Sequence, residues 1–110
     1  MDAIDQAIGR VMDAALLYAK ARAAVMELED NRPAHKQAAI LRIIETGPNP
    51  LTGKQHSASS AEAVVETDAG YAAYRKLQRE AVITEITAGG NYEAAKFRAR
   101  QLTAIAETTV

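Results

Sequence analysis

The chain has 110 residues, 48% of them hydrophobic and 25% charged, with a formal net charge of −1. That length holds one ordinary domain, that balance excludes wholesale disorder, and that charge excludes a polyanion mimic or a general nucleic-acid binder. With no cysteine, disulfides, thiolate catalysis, zinc ribbons and iron–sulfur clusters are excluded as well.

The start, "MDAIDQAIGRVMDAALLYAKARAAV", is acidic where a secretory leader carries a basic segment. Its apolar residues are interrupted by charge, and no run approaches the ~18 apolar residues of a membrane span. The expected setting is the cytoplasm, with no membrane partner. Alanine supplies 24 residues, against four Tyr, one Phe and no Trp. Alanine favours helix most strongly but buries little area.

In the first predicted helix, about Asp2 to Leu28, Ile4, Ile8, Val11, Ala15, Tyr18, Arg22 and Val25 are spaced 4-3-4-3-4-3. Met12, Leu16, Ala19, Ala23 and Met26 run beside them, giving one broad apolar face. "EDNRP" ends this helix, and Pro33 fits the first position of a second helix over 33–45. Because Pro33 can kink rather than separate, the two helices could be nearly continuous. Gly47 and Pro48 then stop the chain.

The loop over 46–58 lies in "TGPNPLTGKQHSASSAE", residues 46–62, a stretch holding two of the three prolines and one of the two histidines. It fails as a nucleotide-binding loop. Gly47 and Gly53 are one residue too far apart, Gln55 stands where a hydroxyl residue is required, and two prolines remove amides from the cradle. Its content is turn chemistry: Asn49-Pro50 starts a turn and Gly53 can take positive φ. It is longer than a helix reversal needs, with Leu51 as an anchor and Lys54 and His56 as exposed polar tips. Asn49, Leu51, Lys54 and His56 are therefore the candidate partner-binding residues.

A capping box at Ser59 and Glu62 predicts a short helix over 59–66. Thr67 or Asp68 caps the next, over 68–88, with Tyr74, Leu77, Ala81 and Thr84 inward and Val82 and Ile86 flanking. Gly89-Gly90 breaks it, and Asn91 caps the last helix, over 91–107, with Ala94, Phe97, Gln101 and Ile105 on one face and Leu102 beside it. The fold expected is all-α: a single helical domain of long antiparallel helices around a central ordered loop.

No metal site follows from His35 and His56, which share neither helix spacing nor a carboxylate partner. Nucleophile motifs are absent, and the carboxylates lie mostly at helix starts or on polar faces. The tight cluster Glu27, Glu29 and Asp30 sits at the predicted end of the first helix, where acids oppose the dipole. The reading is a non-catalytic protein with no cofactor.

Charge is unevenly placed. Residues 1–30 carry six acids against three bases, and residues 71–100 carry six bases against three acids. The two stretches can complement each other in the fold or across a dimer. The alternative is a nucleic-acid face of Arg75, Arg79, Lys96, Arg98 and Arg100, with Tyr71, Tyr74 and Tyr92 near enough in sequence to stack on bases.

The pattern "NPLTGKQHSASSAE" followed by "YRKLQREAV" resembles small helical proteins of unknown role encoded by bacteriophages and prophages. The resemblance covers roughly residues 35–105, and the loop is its most specific part. It implies a phage accessory protein acting through host or phage macromolecules. The expected mode of action is binding a protein partner through helical faces or the loop.

The wide face of the first helix also predicts a homo-oligomer, most simply a two-fold dimer. Leaving several Leu- or Ile-sized side chains exposed is costly, and an alanine-rich partner helix covers little of them. The predicted oligomer seam is Ile4, Ile8, Val11, Met12, Ala15 and Leu16.

Overall fold

A computed structural model describes residues 2–108. It is an all-α helical hairpin. Helix α1 spans Ala3–Glu45, α2 spans Ala58–Ala63, a single 3-10 turn covers Val65–Thr67, and α3 spans Ala69–Thr108. There is no strand among the described residues, and β-type pairing is confined to an isolated antiparallel bridge between Pro48 and Gln55. Among the described residues no helix is long and apolar enough to cross a membrane.

At Pro33 the continuous alternative holds, and the boundary expected at Gly89-Gly90 does not exist. Pro33 lies inside α1 and Gly89-Gly90 inside α3, so 2–28 with 33–45, and 68–88 with 91–107, are each one helix. A proline inside a helix leaves the carbonyl four residues back without its donor and loosens the turn around it. The carbonyl concerned is that of Glu29. One residue earlier, the Leu28 carbonyl accepts the Tyr74 hydroxyl and, at 3.5 Å, the Gln78 amide nitrogen, which ties α1 to α3 beside the proline. Continuity also changes the standing of Glu27, Glu29 and Asp30. They sit mid-helix, where no helix end opposes them.

The chain divides into two compact units, one made of Met1–Met26 with Ala81–Val110 and the other of Glu27–Glu80. In the first, the α1 positions turned inward are Ile4, Ala7, Val11, Ala14, Tyr18, Ala21 and Val25, all buried or half-buried. From α3 they are Ala81, Glu85, Ala88, Tyr92, Ala95, Ala99, Leu102 and Ala106. Both sets step by three and four, the spacing of a coiled-coil seam. One position in each heptad is alanine: Ala7, Ala14 and Ala21 on α1, and Ala81, Ala88 and Ala95 on α3.

This corrects the expected phase. The seam keeps Ile4, Val11, Tyr18 and Val25 but takes the alanines at 7, 14 and 21 in place of Ile8, Ala15 and Arg22. Small side chains let two helix axes approach closely, so the larger residues one position on are left outside. Ile8 is 49% exposed and Arg22 is exposed. Where the seam does hold large side chains they meet each other, with the Tyr18 and Tyr92 rings 5.9 Å apart at 38°. Arg22 lies over the Tyr18 ring and Lys96 over the Tyr92 ring, at 5.7 and 4.3 Å. On the later part of α3, Phe97, Gln101 and Ile105, read as inward, are exposed, while Leu102 beside them is half-buried.

The second unit holds a core of Ala39, Ile40, Ala61, Val65, Tyr71 and Tyr74, packed by Leu28, Ile43 and Ile44. Tyr71 is its largest fully buried side chain. Tyr74 stacks on His35 with ring centroids 4.0 Å apart. Leu77 and Thr84, read as inward with Tyr74 and Ala81, are exposed.

Candidate functional site

The second unit carries the loop, and its local order begins with turn chemistry. The Asn49 side chain accepts the Leu51 amide at 3.0 Å, while the Asn49 carbonyl accepts the Gly53 amide at 2.8 Å. The Asn49 amide in turn donates to the Lys54 carbonyl at 2.7 Å. Gly53 closes this turn at φ 70°, a left-handed conformation that side chains disfavour. The result is a closed turn that presents Leu51 at 91% exposure.

After the turn, α2 begins one residue-pair earlier than expected. Ser57, not Ser59, is the N-cap, and its hydroxyl accepts the Ser60 amide at 3.1 Å. Ser60 returns the bond by accepting the Ser57 amide at 2.9 Å. Glu62, expected in the capping box, instead pairs with Lys36 of α1 at 2.8 Å. A serine can close the box over a shorter reach, which frees the longer carboxylate to span to α1.

The next device is Asp68. As N-cap of α3 it accepts the Tyr71 amide at 2.9 Å. It also takes Arg42 in a two-point contact, Nη2 to Oδ2 at 2.7 Å and Nε to Oδ1 at 3.2 Å. The Arg42 hydrogen bond first, and the Tyr71 amide second, hold the Asp68 carboxyl below the usual carboxylate range. The same contact raises Arg42. Gly70 leaves room for this pair: a Cβ there would stand 2.8 Å from Arg42 Nη2, so the guanidinium would have to shift.

Between these devices lies an open cleft of about 470 Å³. Ile43, Pro50, Leu51, Val64 and Ala69 give it apolar walls, and Arg42, Asp68, Thr46, Thr67, Asn49 and His56 add polar groups. The cleft is of a size that admits a small ligand or a few side chains of a partner. Such a site can bind; among the described residues no group of three or more His, Asp or Glu could hold a metal ion.

Of the loop residues singled out from sequence, Leu51 and Lys54 are exposed as expected. Asn49 is half-buried and spends its side chain on the turn. His56 is no free tip either. It is half-buried, lines the cleft, and places Nδ1 3.0 Å from the Ser60 hydroxyl. Sequence reasoning missed Arg42, Ile43, Val64 and Gly70. Only Asp68 carried a visible signal, as a helix cap.

The basic residues divide between the two units. Arg75 and Arg79 belong to the second unit, and Lys96, Arg98 and Arg100 to the first. Arg75 lies 3.7 Å from Glu66, and Lys96 lies 2.8 Å from Glu93. Arg79, Arg98 and Arg100 are exposed and enter no ion pair among the described residues. None of these ion pairs joins residues 1–30 to residues 71–100. Of the expected oligomer seam, Ile4 and Val11 are spent inside the first unit and Ala15 is half-buried, whereas Ile8, Met12 and Leu16 are exposed.

No family model, curated protein or solved structure matches the chain.

Proposed function

We propose that the chain is a non-catalytic accessory protein of bacteriophage type, acting by binding a protein partner at the cleft beside the 46–58 loop. The supporting observation is the cleft itself: apolar walls, charged and polar groups at the edge, and Leu51 held outward by a closed turn. A lone exposed leucine is ordinary on any surface, but one fixed beside an apolar cleft of about 470 Å³ forms an anchor and a socket together. The phage setting rests on the resemblance of residues 35–105 alone.

The test is affinity capture from the host cell with the wild-type chain, Leu51→Asp and Val64→Arg, each checked for helicity by circular dichroism. Capture of a protein by the wild type and its loss with both variants is the expected result. A partner retained by both variants overturns the cleft as the binding site. The rival reading, a nucleic-acid-binding factor, draws on the exposed Arg79, Arg98 and Arg100. It requires an affinity for single- or double-stranded DNA that falls steeply with salt, and no binding at low ionic strength removes it.

A further inference from the structure

Helix α1 carries a second apolar stripe that its own chain leaves open. Ile8, Met12, Leu16 and Met26 are 49%, 67%, 57% and 60% exposed. Ala15, Ala19 and Ala23 fill the steps between them, and no charged residue interrupts the series. The stripe lies roughly 120° around the helix from the alanine seam.

We propose that this stripe is the two-fold interface of a homodimer, covered by α1 of a second copy running antiparallel. The sequence of side-chain sizes carries the argument. A two-fold axis passing between Leu17 and Tyr18 sets Met12 against Ala23 of the second copy, and Leu16 against Ala19. Ile8 meets Met26 at the two ends. Large side chains thus face small ones through the middle of the stripe and an apolar pair closes each end, a self-complementary pattern of the kind an isologous contact uses. A parallel copy would set Met12 on Met12 and Ala19 on Ala19, alternating crowding with gaps.

Charge agrees with the antiparallel arrangement. Asp13 and Lys20 are both exposed on the same edge of the stripe, and the two-fold brings Asp13 of one copy alongside Lys20 of the other. Area agrees as well. At roughly 100 Å² for each large side chain, with the alanines added, the stripe supplies on the order of 500 Å² per copy. The stems of Asp13, Lys20 and Arg22 extend it toward the roughly 800 Å² per partner of a standard interface. The partner is a second copy of this chain, and the claim is independent of what binds the cleft.

Sedimentation equilibrium over the micromolar range is the primary test. The wild type should sediment at twice the chain mass. Met12→Asp with Leu16→Asp should sediment at the chain mass while keeping wild-type helicity, since both side chains already face solvent. Asp13→Lys should weaken the dimer at least several-fold, and adding Lys20→Asp should restore it. Orientation is read with single cysteines in this cysteine-free chain: Ile8→Cys mixed with Met26→Cys should give mixed disulfides in preference to either self-linked product. A wild-type monomer throughout the range overturns the proposal. So does a dimer indifferent to Met12→Asp with Leu16→Asp, and self-linked Ile8→Cys as the main product overturns the antiparallel arrangement.

Discussion

Gly89 and Gly90 sit side by side in the middle of α3, and the structure gives them opposite reasons for being there. A glycine in a helix interior costs about 0.8–1 kcal/mol relative to alanine. At Gly90 an added Cβ meets nothing within 4 Å, so Gly90→Ala should return that whole amount. At Gly89 the Cβ would stand 3.2 Å from Cε1 and 3.4 Å from Cζ of Tyr18. That ring is already held by Tyr92 and by Arg22 above it, so it must shift by a few tenths of an ångström against packed neighbours. The propensity gain and the packing loss then roughly cancel, leaving Gly89→Ala near zero or mildly destabilising. Thermal unfolding followed by circular dichroism separates the two variants. A gain of about 1 kcal/mol raises Tm by about 4 °C or more in a chain of this size, and only Gly90→Ala should show it. Equal stabilisation by both would refute the seating of Tyr18 on Gly89. Destabilisation by Gly90→Ala would refute the open surface there.

Two further predictions concern the second unit. Asp68→Ala should cost about 1–2 kcal/mol, from the lost cap and the lost Arg42 contact, whereas Asp68→Asn should keep much of the cap and lose the charge. Since Asp68 and Glu62 are both held below their ordinary values in the fold, by Arg42 and Lys36 respectively, their contribution is complete above the unfolded carboxylate values near about pH 4. It is lost as pH falls through the folded values, so urea unfolding should show stability dropping below about pH 4 with a shallower slope in Asp68→Asn. Identical pH profiles would contradict the pairing. Tyr74→Phe removes the hydroxyl that ties the Leu28 carbonyl to α3, leaving the long Gln78 contact as the tie from α3 to that carbonyl, and should cost about 1–2 kcal/mol in the same assay. No measurable change would mean that the hydroxyl does not support α1 there.

The sequence made helix content and the central loop legible because alanine, charge spacing and Gly/Pro clusters act locally. Where sequence reading failed, the deciding term was tertiary. Gly89-Gly90 read as a break, and Pro33 as a break or a kink, because each costs free energy in an isolated helix, and each is tolerated because packed residues on both sides keep the helix in place. Beside Pro33 the tie to α3 comes from Tyr74 and Gln78, more than forty residues away in sequence, which both reach the Leu28 carbonyl. The seam was misphased for a related reason. A search for the most apolar stripe prefers Ile8 to Ala7, but two alanine-lined helices gain by close approach and leave the larger side chain outside. The same preference that misplaced the intrachain seam marked Ile8, Met12 and Leu16 as contact residues, and the structure leaves those three uncovered. At the cleft the limit was distance. Asp68 could be read as a cap from its position before α3, whereas its partner Arg42 lies 26 residues earlier with nothing local to announce it. The room that Gly70 leaves matters only once that pair is in place. The residues that shape the cleft are thus the ones whose roles exist only between elements, and a single chain of letters records elements far better than the spaces they enclose.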